Sequence, residues 1–268
     1  MTKSKIPLFD KLRVVSEFEP LKAGKLFILV ILLLVSIPAF AQTIQTNPDS
    51  IPFAPAVYYS ISGWARSVFS ADLDGDGHKD LAVAYFLGAV AILKNNGDGT
   101  FQPRVEYGLG GCHLSAFCAD LDRDGDFDLA VTTYTITSPP PESDYVSILK
   151  NNGDGTFQTA VNYGITARPH SVFCADLDGD GDLDLVVAHG YSDNISILKN
   201  NGDGTFQSAI SYVVGDGPYS VFCADLDDDG DKDLAVANSG EDNVSILKNN
   251  GDGVFQAVGS YDVGDRKS

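Results

Sequence analysis

One acidic pattern, used four times, limits what this chain can become. Asp176, Asp178, Asp180, Asp182 and Asp184 occupy every second position, with Gly181 at the sixth place. The pattern recurs as Asp72, Asp74, Asp76, His78 and Asp80, and as Asp120, Asp122, Asp124, Asp126 and Asp128. A fourth copy runs through Asp225, Asp227, Asp229, Asp231 and Asp233. Carboxylates this crowded repel one another unless a positive charge sits among them. A hard cation taking several oxygen ligands, Ca²⁺ above all, is the natural partner, and glycine at the sixth place lets the backbone turn so that alternate side chains converge.

The first aspartates are spaced by 48, 56 and 49 residues. Each unit holds short runs such as Ser171–Ala175, Leu185–Ala188 and Ile195–Lys199, then a turn, Asn200–Phe206, and a last extended piece ending near Tyr212. The runs are rich in β-branched and aromatic residues and are bounded by Gly, Asn and Asp, so they read as strands. Four antiparallel strands in about 50 residues is the arithmetic of a propeller blade. The expected fold is all-β: a β-propeller of four four-stranded blades, either a closed ring or an open arc. With strands A to D in each blade, the aspartate loop joins A to B and the Asn-Asn-Gly-Asp-Gly turn joins C to D. Antiparallel alternation places both at one end of the blade. That second loop reads as a hairpin turn, since Asn-Gly and Asp-Gly supply positive φ values, rather than as another metal site.

The opposite end differs from copy to copy. Just before strand A stand Arg66, Leu114, His170 and Tyr219, with Trp64 and Arg168 nearby. Variable residues on a rigid scaffold are where recognition usually resides. Trp64, Arg66, His170 and Tyr219 are therefore the candidate ligand contacts, and aromatics near Trp64, Tyr191 and Tyr219 would suit sugar stacking. The second B–C connection is enlarged by Thr137–Ser143.

Residues 1–41 read as an export signal. A lysine-bearing stretch precedes the apolar run Leu26–Val35, and Ala39-Phe40-Ala41 supplies a small-x-small cleavage pattern. The alternative, an uncleaved anchor, needs a longer apolar span. Residues 42–52 read as a linker and 53–268 as the repeat domain, secreted or at a cell surface. Removal of residues 1–41 leaves 12 basic and 34 acidic residues, a net charge of −22. That excludes nucleic acid and anionic membrane as expected partners. Residues 53–62 match a strand D with no blade before it, and the chain stops where a fifth strand A would start. An open ring would leave the chain able to self-associate.

Cys118, Cys174 and Cys223 share one place in three repeats, which Ser70 takes in the first, and read as small buried hydrophobes. A link between Cys112 and Cys118 stays open in an exported chain. His78, His113, His170 and His189 fall in no zinc-protease or nucleophile-elbow pattern.

The Asp-x-Asp-x-Asp-Gly-x-x-Asp loop, followed about 20 residues later by Asn-x-Gly-Asp-Gly-x-Phe, resembles the FG-GAP/VCBS-type repeats, which include the propeller of integrin α subunits. The resemblance covers residues 53–264. It implies a β-propeller with about four Ca²⁺ ions in the A–B loops, used in adhesion, in carbohydrate binding or as a scaffold beside enzymes. It maps ligands onto all twenty positions named above, with the backbone carbonyl serving at His78, Asp126, Asp182 and Asp231. It departs from the usual seven blades. An EF-hand is ruled out, because the twelfth positions are Val83, Val131, Val187 and Val236 in place of a bidentate Glu. The expected function is a non-enzymatic binding or adhesion module for protein or glycan. The alternative is the scaffold or catalytic part of a secreted polysaccharide lyase or hydrolase.

Overall fold

The computed structural model describes residues 56–86, 88–135, 144–165 and 168–264. The proposed signal and linker, the Thr137–Ser143 insertion and the last four residues lie outside the described residues. The repeat unit spans Tyr58–Ser268.

The described residues hold sixteen strands in four sheets. The first sheet is β1 (Ala65–Ala71), β2 (Asp80–Tyr85), β3 (Ala89–Leu93) and β4 (Val105–Gly108). The second is β5 (Cys112–Ala119), β6 (Asp128–Tyr134), β7 (Asp144–Leu149) and β8 (Val161–Ile165). The third is β9 (Pro169–Ala175), β10 (Asp184–His189), β11 (Asn194–Leu198) and β12 (Ile210–Val213). The fourth is β13 (Pro218–Ala224), β14 (Asp233–Asn238), β15 (Asn243–Asn249) and β16 (Phe255–Asp262). Each sheet is an antiparallel meander in chain order, with a register shift near the start of each innermost strand. These are the blades of a β-propeller, and the first and last do not close on each other.

Central strands are apolar at successive positions because each sheet is covered on both faces. β10, Asp-Leu-Val-Val-Ala-His, is buried throughout. Between blades one and two, Ala82, Ala84, Val90 and Ile92 meet Ala116, Cys118, Leu129 and Val131. The same interleaving recurs at the next two joints. Along the innermost strands, Phe69, Phe117, Phe173 and Phe222 form a ladder with ring centroids 4.7, 5.0 and 5.2 Å apart. The four cysteines are free and buried, which resolves the Cys112–Cys118 question. Both of those residues lie on β5. Burial pushes the thiols of Cys118 and Cys223 up to about 12, out of the reactive range.

Polar contacts repeat at each joint. Asn151 Nδ2 donates to the Leu73 carbonyl of the preceding blade at 2.8 Å and to the Phe127 carbonyl at 3.0 Å. Asn200 does the same to Leu121 and Leu183, and Asn249 to Leu177 and Lys232. Running the other way, Lys94, Lys150 and Lys199 donate to the carbonyls of Asp154, Asp203 and Asp252 in the following blade. The Tyr107 ring packs edge-on against Phe157, and its hydroxyl accepts from the Phe157 N–H at 3.2 Å.

Residues 53–62, expected as a spare strand D, differ from that expectation. Residues 56–62 belong to no sheet, and 53–55 lie outside the described residues. Tyr59 nevertheless holds the place of Tyr107. It packs edge-on against Phe101 at 5.4 Å, and its hydroxyl accepts from the Phe101 N–H at 3.1 Å. Arg104 secures the segment through the Ser60 carbonyl and the Ser62 hydroxyl. Among the described residues no strand pairs with this segment, and it packs through side chains.

The last blade shows what a missing neighbour costs. Leu73, Leu121 and Leu177 are each 1% exposed, whereas the equivalent Leu226 is 49% exposed. In β15 burial alternates residue by residue, since one face of that sheet is uncovered.

Candidate metal loops and an axial cavity

Each aspartate loop is shaped by its own backbone. In the first, the Asp72 carboxylate accepts from the N–H groups of Gly75 and Gly77 at 2.9 Å each. Asp76 accepts from His78 N–H at 2.8 Å. The ninth-position aspartate is a pin between loops. Asp80 accepts from Leu73 N–H at 3.0 Å and from Asn95 N–H in the C–D loop at 2.7 Å. Asp128, Asp184 and Asp233 make the same pair of bonds. Burial is the main cause that pushes the Asp128 and Asp184 carboxyls up to about 6, and it raises that of Asp80.

The third-position aspartates face inward. Lys94 lies 3.3 Å from Oδ2 of Asp74, Lys150 3.2 Å from Asp122, and Lys199 3.0 Å from Asp178. The other oxygen, Oδ1 of Asp74, Asp122 and Asp178, is buried with no hydrogen-bond partner. Oδ1 of Asp120 and Asp225 is in the same condition. A buried anionic oxygen without a donor is costly, and a cation would satisfy it.

The structure brings together the first, third and ninth positions in three loops: Asp72, Asp74 and Asp80; Asp120, Asp122 and Asp128; Asp176, Asp178 and Asp184. Within each set the oxygens lie within 4.8 Å of one another. In the fourth loop the set is Asp225, Asp227 and Asp229. The fifth-position residues Asp76, Asp124 and Asp180 stand outside those sets, each accepting from the backbone two residues on. At the seventh position, His78, Asp126, Asp182 and Asp231 lean on Gly97, Gly153, Gly202 and Gly251 of the C–D loop, where an added Cβ would collide with them. An all-oxygen, all-aspartate donor set with buried unpartnered oxygens fits Ca²⁺, which the first-, third- and ninth-position aspartates would hold by neutralising their charge.

Lys248 breaks the series. Among the described residues no following blade offers it a carbonyl, and it bridges Asp227 and Asp229 within the fourth loop.

The C–D loops are hairpin turns closed by bonds such as Asn96 N–H to Thr100 carbonyl at 2.8 Å. In the first three their aspartates are occupied by threonine, as Asp98 is by the N–H and the hydroxyl of Thr100; in the fourth, Asp252 accepts only from the Val254 N–H. The two bonds from Thr100 hold the Asp98 carboxyl below its usual range.

At the opposite end, the starts of β1, β5, β9 and β13 surround a cavity of about 630 Å³. Arg66, His170 and Tyr219 line it, as expected from the sequence. Trp64 does not: it stacks on Phe86 at 5.6 Å, and Phe86 forms the wall. Sequence reading placed Arg168 and Tyr191 only nearby and missed Tyr134; all three line the cavity. Position at the ends of strands was the only available signal. His170 packs 4.7 Å from Tyr219, and burial lowers its proton affinity. The Arg168 guanidinium lies 4.1 Å over Tyr191, and that of Arg66 lies 5.2 Å over Phe86. His189 is fully buried, with Nε2 2.8 Å from Ser196 Oγ, and burial depresses it to about 4.

Fold and loops together define an aspartate-loop repeat propeller: four-stranded blades, each carrying an aspartate cluster on its A–B hairpin. The chain belongs to the FG-GAP-like repeat family, which it matches at residues 72–131, 135–187 and 176–236. No curated protein matches it. Among solved structures it is similar to an Agrocybe aegerita lectin described as recognising non-reducing terminal N-acetylglucosamine. Identity there is 30%, the TM-score is 0.51, and the match covers 72% of this chain and 51% of the lectin. It also shares its fold with BBS1N, solved in complex with ARL6DN, at 17% identity and a TM-score of 0.52, covering 76% of this chain and 59% of that one. The chain thus spans about half to three-fifths of the length of these structures.

Proposed function

We propose that this is an exported, calcium-stabilised, non-enzymatic propeller that binds a glycan or protein ligand at a cell surface. The observation that carries this reading is the separation of its two ends. One end carries an aspartate cluster in every blade, built alike in the first three, and the other gathers unlike residues, Arg66, Leu114, His170 and Tyr219, around one cavity. The first end is the stabiliser: each cation would offset a knot of negative charge and couple folding to calcium. The second is the recognition surface. Similarity to a sugar-binding lectin supports a glycan over a protein.

Calorimetric titration of the chain with Ca²⁺, paired with melts in excess Ca²⁺ and in chelator, tests the first half. Stoichiometric binding and a large chelator-induced drop in Tm are expected; no binding and an unchanged melt would overturn it. A glycan array read with the wild type and with Tyr219→Ala tests the second. Loss of signal in the variant is expected, and an array signal unmoved by the substitution would remove the cavity from the reading.

A further inference from the structure

We propose that the axial cavity takes a carboxylate-bearing sugar, its carboxylate held by Arg66 and Arg168 and its ring set against Tyr191 and Tyr219. This rests on the binding-module reading above and adds the chemical class of the ligand.

The argument starts from where the positive charge sits. The chain carries a net charge of −19, and among the described residues Lys94, Arg104, Arg123, Lys150, Lys199 and Lys248 are paired with carboxylates, whereas Lys79, which lies over the Phe127 ring, and Lys232 are not and line no part of the cavity. Among the described residues Arg66 and Arg168 have no ion-pair partner, and no Asp or Glu lines the cavity they share; Asp144, which accepts from the Arg168 backbone N–H at 2.6 Å, is outside the lining. In a chain this acidic, two unpaired arginines facing one cavity with no acid among its described lining residues favour an anion there. Each guanidinium rests on an aromatic face, Arg66 on Phe86 and Arg168 on Tyr191. Stacking of this kind fixes the plane of the fork and leaves its N–H groups free to bind a planar carboxylate in bidentate fashion.

The rest of the lining suits a sugar. Tyr191 and Tyr219 are exposed aromatic surfaces beside His170, and Ser67, Ser115, Ser171 and Ser220 add hydroxyls at the same level. Ser67 and Ser115 are partly committed, their hydroxyls accepting from the Ala116 and Val172 N–H groups at 3.4 Å each. A cavity of about 630 Å³ accommodates one or two sugar residues. A neutral sugar would give the two arginines no counter-charge.

The test is calorimetric titration of the full chain, in constant excess Ca²⁺, with digalacturonic acid, with its methyl ester, and with a sulfated neutral disaccharide. The ester keeps the rings and removes the charge. The acid is expected to bind about ten-fold more tightly than the ester, with affinity falling as salt rises, since charge-assisted bonds carry the difference. Arg66→Ala and Arg168→Ala should each lose about that ten-fold for the acid and shift ester binding by much less. Arg168→Lys, which keeps the charge but loses the fork, should recover only part. Arg104→Ala, remote from the cavity, should behave as wild type. Equal binding of acid and ester, or acid binding unmoved in both arginine variants, overturns the inference and leaves the binding-module reading in place. Tighter binding of the sulfated sugar overturns the carboxylate assignment. Binding of none of the three overturns the inference, and the module reading then rests on its own calcium and array results.

Discussion

At Asp128 and Asp184, protons would compete with the proposed calcium for the same oxygens. Both carboxyls are pushed up to about 6 by burial, with neighbouring aspartates adding to the rise. A raised acid contributes stability to the metal-free fold that is complete below its unfolded value and lost as pH rises through about 6. Calcium needs the deprotonated form. The rise in Tm on adding Ca²⁺ is therefore expected to be large at pH 7 and to shrink steadily toward pH 5, as read by paired melts across that range. His189 titrates in the opposite sense: depressed to about 4, it favours the fold above its ordinary value and destabilises it as pH falls. It does so with or without calcium, so the paired difference cancels it. An increment independent of pH would contradict the assignment. Lys248 makes a second residue-scale prediction. Because it bridges Asp227 and Asp229, the fourth loop should bind calcium more weakly than the other three. Lys248→Met should bring its affinity up toward theirs in calorimetry.

Among the elements, the C–D turn carries more than its shape requires. Asn151 joins two blades through its side-chain amide, so Asn151→Ala leaves the carbonyls of Leu73 and Phe127 unpaired. A loss of about 1–3 kcal/mol is expected from denaturant unfolding. Among the described residues no blade precedes Asn95, whose Nδ2 donates to the Lys79 carbonyl alone, so Asn95→Ala should cost clearly less. Gly202 has φ +85°, and a Cβ there would stand 2.7 Å from Asp182 Oδ2. Gly202→Ala should lower Tm through both backbone strain and that collision. These elements also mark how far the sequence could be read. The aspartate cages, the strand pattern and the buried cysteines were legible because each depends on residues within one repeat. The Asn and Lys contacts between blades were not, because a repeated residue does not say whether its partner belongs to its own blade or the next. Trp64 illustrates the same limit at the other end. It lies in the right stretch but one residue outside the cavity wall, a distinction that depends on the register near Ala65.

Among its described residues the repeat unit is a row of four sheets in which each interior interface is built alike and the two outer faces are not. Leu177→Ala, in a filled joint, should cost about 2–5 kcal/mol, whereas Leu226→Ala, half in solvent, should cost less than about 1 kcal/mol. Equal losses from the two, measured by denaturant unfolding, would mean that the last face is covered in solution. Stability in such an array is close to a sum of unit and neighbour terms, so a sheet with one neighbour is held less firmly than a sheet with two. The first blade is compensated, since Tyr59 and its segment close over Phe101. The fourth is not, and Phe222, Leu226 and Tyr261 stand exposed on it. Loss of structure thus acquires a direction. Amide protons in β14 and β15 should exchange with solvent ahead of those in β6 and β10, and the chain should unzip from its C-terminal blade toward its centre.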